Sequence, residues 1–516
     1  MDFISSNIIA NGRQLKVLMF PWLAHGHISP FIELSKRLAE HGINVSFLST
    51  PLNISKIGRF FADYQNTPGK VQLVEVPLPS VDGLPAGIEN TADLPPELMP
   101  LLHRAMTSLE EPLERLLHQL SPDCVVYDTV QFWTPRVAAK FGIPTIYFVT
   151  FGAAYFSFDF SPARAYLSEE ISAQNLARPP PGYPSSALSL RLFEARSRLS
   201  MYIRRQKEGM RGIDYMMSSL EGCSAMAIKS CHELEEKFIR YFARMTGKPV
   251  LPVGPLLHDA VNKQSGTGFH QSVMGQDSYC LKWLENQPPS SVVFVSFGSE
   301  YFLSKDQIRE LVLGLEASQQ PFICVLRFPR YSDNPEVHYD QQSQVSASLP
   351  EGFEGRIMKK GLVVGGWVPQ KEILSHPSTG GFVTHCGWSS ILEGMSVGLP
   401  LIALSMQLDQ GLNARLIAEE LKVGVEVGRG SDGSLDRDEI CKAVRMVMVE
   451  EEGRAVRLRA EEMGFLFRTK ILNAGSDGSQ NRYIDEFVNH LYGLKASFPG
   501  LGKVGVETER HYRVEG

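Results

Sequence analysis

The chain contains no C-x-x-C pair, although its 516 residues include seven cysteines. Cys124, Cys223, Cys231, Cys280, Cys324, Cys386 and Cys441 are scattered and odd in number. That fits free thiols in a reducing compartment better than a disulfide framework. Long hydrophobic runs are also missing. The apolar runs are strand-length, well short of the roughly 20 residues that a membrane helix needs. The opening MDFISSNIIANGRQ has neither a basic start nor an apolar core, so no secretory signal is expected. A sequon such as Asn53-Ile-Ser55 then carries no weight. Positive charge is in short supply. A formal net charge of −6 argues against general affinity for nucleic acid or anionic membrane. The expectation is a soluble, cytoplasmic monomer with no nucleic-acid partner and no stable membrane insertion.

What is present is ordinary globular composition, 43% apolar and 21% charged, in a chain long enough for two or three domains. Short apolar runs recur, each followed by a helical pattern, which is how buried parallel strands read in an alternating β/α fold. The first set is LKVLMF (15–20), VSFLS (45–49), VQLVEV (71–76), CVVY (124–127), TIYFV (145–149) and AMAI (225–228). The second is VVFVSF (292–297), FICVL (322–326), LVVGGW (362–367), GFVTH (381–385), PLIAL (400–404) and VGVEV (423–427). Two six-strand sets predict two doubly wound, Rossmann-like α/β domains, 1–255 and 281–480. A polar, Gly-rich linker at 256–280 joins them. A helix over 481–494 is expected to pack back across the domains, followed by a tail at 495–516. ARPPPGYPSS (177–186) and 331–348 read as surface loops.

Ligands of such sheets bind beyond the carboxyl ends of the strands, so the residues just after each run are the candidates for a site. His25 and His27 follow the first run, before a helix expected to start at Ser29–Pro30, with serine as N-cap and proline at N1. A histidine there is either a backbone-bonded loop residue or a neutral general base. Asp128 follows the fourth run, either as a helix N-cap or as the carboxylate that orients a histidine. Gly298-Ser299 ends the seventh run, where amides and a hydroxyl can face a phosphate. In GFVTHCGWSSILEG, His385 and Cys386 are adjacent. Adjacent side chains cannot pair as catalyst and nucleophile, and no second ligand pair at metal spacing exists. A strand, a tight turn at Cys386-Gly387 and a helix start near Trp388 remain. That start is either an ordinary capped helix or an anion site built from free amides, the Ser389 and Ser390 hydroxyls and His385. Glu393, one turn in, could accept ribose hydroxyls. Gly500-x-Gly502-x-x-Gly505 lacks a preceding strand and is dismissed as a dinucleotide fingerprint. Asp436-Arg437-Asp438 reads as a helix cap rather than a metal clamp.

The 44-residue block WVPQKEILSHPSTGGFVTHCGWSSILEGMSVGLPLIALSMQLDQ, from Trp367 to Gln410, closely resembles the signature box of plant family 1 glycosyltransferases, which use UDP-sugars. The resemblance extends to FPWLAHGHISP, Asp128 and FVSFGS, and spans about 15–490. It implies the GT-B fold, two facing Rossmann-like domains, the first binding acceptor and the second UDP-sugar. It implies that Trp367 stacks on uracil, that the Val368 backbone and Gln370 fix base and ribose, and that Glu393 holds the ribose hydroxyls. By the same likeness His385, Ser390 and Ser299 meet the diphosphate, with Gly387 and Ser389 in the same cradle. Trp388, Asp409 and Gln410 face the sugar. His27 becomes the general base, supported by Asp128. No metal and no cofactor is implied beyond the UDP-sugar co-substrate. Gln410 suggests UDP-glucose, with UDP-rhamnose, UDP-xylose or UDP-glucuronate as alternatives, and a silent UDP-sugar-binding protein as a third reading. Ser389 stands where the family usually has asparagine. The HCGWSS spelling resembles the subgroup that glycosylates existing flavonoid, triterpenoid or steroid glycosides. Loops around 78–90, 129–160 and 185–205, with Phe132, Trp133, Phe151, Tyr155 and Phe156, are expected to form a hydrophobic acceptor pocket. The expected reaction inverts an α-donor to a β-glycoside.

Overall fold

The computed structural model describes residues 14–65, 67–165, 171–205, 209–257, 276–329, 340–358, 360–472 and 482–497. Among the described residues thirteen strands form two sheets, and every pairing between these strands is parallel. The first holds β1 (Lys16–Phe20), β2 (Asn44–Ser49), β3 (Val71–Glu75), β4 (Cys124–Tyr127), β5 (Thr145–Val149), β6 (Ala225–Ile228) and β7 (Val250–Pro252) in the order 3-2-1-4-5-6-7. The second holds β8 (Val292–Ser296), β9 (Phe322–Leu326), β10 (Gly361–Gly365), β11 (Thr379–Thr384), β12 (Leu401–Ala403) and β13 (Gly424–Glu426) in the order 10-9-8-11-12-13. This is the GT-B arrangement of two Rossmann-like sheets.

The apolar runs exist because helices cover both faces of each sheet. β1 sends Val17 and Met19 to one core cluster and Leu18 and Phe20 to another. Six of the seven strands of the first sheet match the apolar runs. The seventh, β7, lies in the proline-rich stretch PVLPVGP that leads into the linker. It pairs only with β6, at the sheet edge, where proline costs no ladder hydrogen bond.

Seven helices matter below: α1 (His25–Glu40), α2 (Leu192–Ile203), α3 (Gln341–Ser348), α4 (Gln370–Leu374), α5 (Trp388–Val397), α6 (Arg437–Met448) and α7 (Arg482–Ser497). α1 begins five residues earlier than the Ser29–Pro30 signal. Its N-cap is Ala24, with no side-chain cap, and Pro30 lies inside the helix. The buried stripe Ile28, Phe31, Ile32, Leu34 and Leu38 against the sheet outweighs the missing cap and the lost proline N–H. Part of the expected loop at 331–348 is α3, capped by Asp340 and anchored by buried Val345. Asp436 caps α6, accepting from the Asp438 and Glu439 amides. α7 buries Ile484, Phe487, Val488 and Leu491 against the first sheet. His41 reaches Asp485 at 3.0 Å. Linker positions 258–275, the Gly500–Gly505 motif and the tail from 498 lie outside the described residues.

Each sheet reverses its winding between two neighbouring strands, β1 and β4 in the first, β8 and β11 in the second. Crevices open at such switch points. The registers Phe20↔Tyr127 and Ser296↔Thr384 bring each pair of strands out level. His27 and Asp128 therefore leave one switch point, and Gly298 and His385 leave the other.

Candidate active site

At the first switch point His27 lies in the opening turn of α1, with its Nδ1 2.9 and 3.0 Å from the two Asp128 carboxylate oxygens. Asp128 is fully buried, and each oxygen also takes a backbone N–H, from Trp22 at 3.0 Å and from Thr129 at 2.6 Å. An ionised carboxylate only accepts, so the imidazole proton sits on Nδ1 and Nε2 is left to take one. Burial lowers the His27 pKa. Asp128 more than reverses that, helped by the Glu300 and Asp409 charges, and the net effect is a rise. Glu300 and Asp409 belong to the second domain, so the cleft brings both halves to one histidine. The Thr150 hydroxyl lies 3.2 Å from Nδ1 and the Phe151 ring packs edge-on at 5.5 Å.

At the second switch point His385 is wedged between two glycine turns. A Cβ at Gly298 or at Gly387 would sit 2.7 or 2.5 Å from His385 Nε2, and Gly298 has φ +72°. Only glycine allows that approach. Burial pulls the His385 pKa down to about 4, so the ring is neutral and contributes an N–H without a charge. Cys386 takes the turn at φ +67°, with its amide on the Thr384 hydroxyl at 3.1 Å. Its thiol pKa is pushed well up by burial, which removes it as a nucleophile. α5 then starts at Trp388 with Gly387 as N-cap and no side-chain cap. Its first amides are thus left for an anion.

Gln370 and Glu393 are brought together, the amide donating to the carboxylate at 2.7 Å and to Ser390 Oγ at 3.4 Å. Trp367 follows β10. Its indole has the Arg327 guanidinium 5.2 Å from the ring centre and His25 edge-on at 5.2 Å. The Val368 carbonyl accepts from the Gln370 N–H at 2.8 Å. Gln410 accepts the Met406 and Gln407 amides, both at 2.9 Å, through its carbonyl oxygen. Its NH2 therefore remains as a donor. Buried Asp409 accepts from Asn413 at 2.6 Å, and burial raises its pKa to about 6. Ser299 is half-buried beside Gly298.

Trp388 turns its side chain toward the first domain. Its indole N–H donates to the Lys229 carbonyl of the first domain at 2.6 Å, and a Cβ on Gly152 would lie 3.2 Å from its ring. The side chain thus makes a contact between the domains. Ser389 accepts from the Lys229 ammonium at 2.7 Å. Lys229 was missed because a lone lysine after a strand carries no signal. Nor do all the expected acceptor aromatics line a pocket. Trp133, Tyr155 and Phe156 are buried in the core, and Phe132 and Phe151 are only partly buried.

Among the described residues no group of three His, Cys, Asp or Glu could hold a metal ion. No described helix is long and apolar enough to cross a membrane.

Two family models match, "Glycosyltransferase, N-terminal domain" over residues 13–258 and "UDP-glucoronosyl and UDP-glucosyl transferase" over residues 280–454. The chain belongs to the UDP-glycosyltransferase family. It is 38% identical to a mogroside IIIx synthase of Siraitia grosvenorii, over 89% of this chain and 95% of that protein. It is 36% identical to the cyanidin-3-O-glucoside 2-O-glucuronosyltransferase of Bellis perennis, over 91% and 96%. Its fold is similar to that of Arabidopsis thaliana UGT89C1 complexed with UDP-L-rhamnose, with a TM-score of 0.70 and 26% identity over 93% of this chain and 100% of that one. The histidine–aspartate pair and the glycine-walled histidine thus belong to a UDP-glycosyltransferase, an enzyme.

Proposed function

We propose that this UDP-glycosyltransferase moves glucose from UDP-glucose to a hydroxyl of a hydrophobic glycoside of the flavonoid, triterpenoid or steroid type, forming a β-glycoside with inversion. The carrying observation is His27, protonated on Nδ1 by its Asp128 contact, in a cleft with the neutral His385 cradle across it. An acceptor hydroxyl is a weak nucleophile until its proton leaves, and Nε2 of His27 takes it as attack proceeds. Asp128 stabilises the resulting imidazolium. The sugar carbon passes through an oxocarbenium-like state. UDP departs from the opposite face, its growing charge met by the first amides of α5, the His385 N–H and the serine hydroxyls. Glu393, held by Gln370, is suited to the ribose hydroxyls. The NH2 of Gln410 is suited to a sugar hydroxyl, and supports glucose by likeness of sequence.

The Bellis perennis relative, named for transfer to cyanidin-3-O-glucoside, supports a glycoside acceptor. UDP-glucuronate or UDP-rhamnose is the second reading, favoured by the glucuronosyltransferase of Bellis perennis and the UDP-L-rhamnose complex. A soluble monomeric enzyme of the cytoplasm, needing no metal, completes the proposal. Incubation with competing UDP-sugars and a panel of glycosides and aglycones, read by UDP release and product mass, tests it. Glucose transfer to a glycoside is expected. Absence of turnover across the panel would sink it.

A further inference from the structure

Lys229 follows β6 at the carboxyl edge of the first sheet. Its N–H donates to Val149, its carbonyl takes the Trp388 indole N–H at 2.6 Å, and its ammonium donates to Ser389 Oγ at 2.7 Å. The residue is 3% exposed. Among the described residues it makes no ion pair. The opposing charges that act on it are Glu393 on α5 and Glu33 on α1. A buried ammonium is thus parked at the first turn of α5, the positive end of the helix. That is a poor place for a cation unless an anion joins it. Burial lowers its pKa to about 8, with the two glutamates pulling the other way.

Besides Lys229, the Arg327 guanidinium stands at the cradle, donating to the Gly298 carbonyl at 3.3 Å. His385 is neutral, and the serines and backbone amides are dipoles. A nucleoside diphosphate would bring at least two negative charges to that helix start. Ser389 explains why a lysine fits here. Its hydroxyl oxygen accepts from the ammonium.

We propose that Lys229 is a cation of the donor site supplied by the acceptor domain, reaching to the diphosphate of UDP and tying both domains to the bound nucleotide. The inference rests on the UDP-sugar reading above. Its test compares UDP with uridine, which has no phosphate, by calorimetry on the full-length wild type and Lys229→Met. The variant should weaken UDP at least about tenfold, as for loss of a charge-assisted hydrogen bond. Uridine should bind both proteins alike. Equal losses for both ligands would make Lys229 merely a structural link, and an unchanged UDP affinity would overturn the proposal outright. If Lys229→Met does not fold, Lys229→Gln is judged by the same UDP-to-uridine ratio. A wild type that fails to bind UDP at all refutes the donor reading itself. A wild type that binds, with an unshifted ratio in the variant, refutes only the role of Lys229.

Discussion

Asp128→Asn is the sharpest probe of the chemistry, because all three contacts of the carboxylate are known. Its Oδ1 accepts the Thr129 amide at 2.6 Å, its Oδ2 accepts the Trp22 amide at 3.0 Å, and both lie near His27 Nδ1. Asparagine offers one acceptor oxygen. Whichever way its amide turns, the NH2 faces a backbone N–H, leaving a buried donor unsatisfied at a cost of about 1–3 kcal/mol. Tm should fall by a few degrees with the fold retained. Turned toward His27, the NH2 favours the tautomer protonated on Nε2, which fills the site that must accept the substrate proton. The loss in kcat is expected to approach the whole contribution of a general base, roughly 10²–10⁴-fold. The pH profile gives an independent readout. In the wild type, activity rises with pH as His27, whose pKa is raised, loses its proton. Without the Asp128 charge the desolvation that lowers the pKa faces only the weaker Glu300 and Asp409 contributions, so the acid limb moves to lower pH. Steady-state UDP release from pH 5 to 9, beside a thermal melt, measures both. A folded variant with near-wild-type kcat and an unmoved acid limb would refute the assignment of His27 and Asp128.

Gly387→Ala places a methyl 2.5 Å from His385 Nε2, so it should cost about 1–3 kcal/mol of stability and displace the imidazole; an unchanged melt with unchanged UDP affinity would contradict the wedged geometry. Glu393→Ala should weaken UDP by roughly tenfold or more while leaving a 2′,3′-dideoxy analogue almost unaffected, since only the ribose hydroxyls would lose their acceptor; equal losses would detach Glu393 from the ribose. Iodoacetamide at pH 7 should leave activity intact, because the Cys386 thiol is buried with its pKa pushed well up; inactivation with alkylated Cys386 would reopen a nucleophile role. EDTA should leave turnover unchanged, and a loss restored by added divalent cation would remove the metal-free assignment.

Much of the fold was legible because buried parallel strands write themselves as apolar runs. CVVY, TIYFV, AMAI and FICVL match β4, β5, β6 and β9 residue for residue. The failures have local causes. β7 hides in a proline-rich stretch at a sheet edge, and the serine cap expected for α1 lost to the packing of its apolar stripe. In the site, Gly298, Cys386-Gly387 and the start of α5 were readable, since a strand end, a tight turn and a helix N-terminus lie within a few residues. Trp133 and Phe156 were misread because an aromatic after a strand looks the same whether it faces a pocket or the core.

By itself, then, the sequence determined the strands, the two-domain α/β plan, the phosphate-suited turn and the candidate base. Each depends on neighbours along the chain. Only tertiary structure decided how these meet. His27 finds Asp128 across 101 residues and Lys229 finds Ser389 across 160, because the winding of two sheets puts strand ends beside one another. Hydrogen bonds and charges act over a few ångströms of space, whatever the distance along the chain. The pairing of Lys229 with Ser389 could therefore be seen only once the domains were face to face.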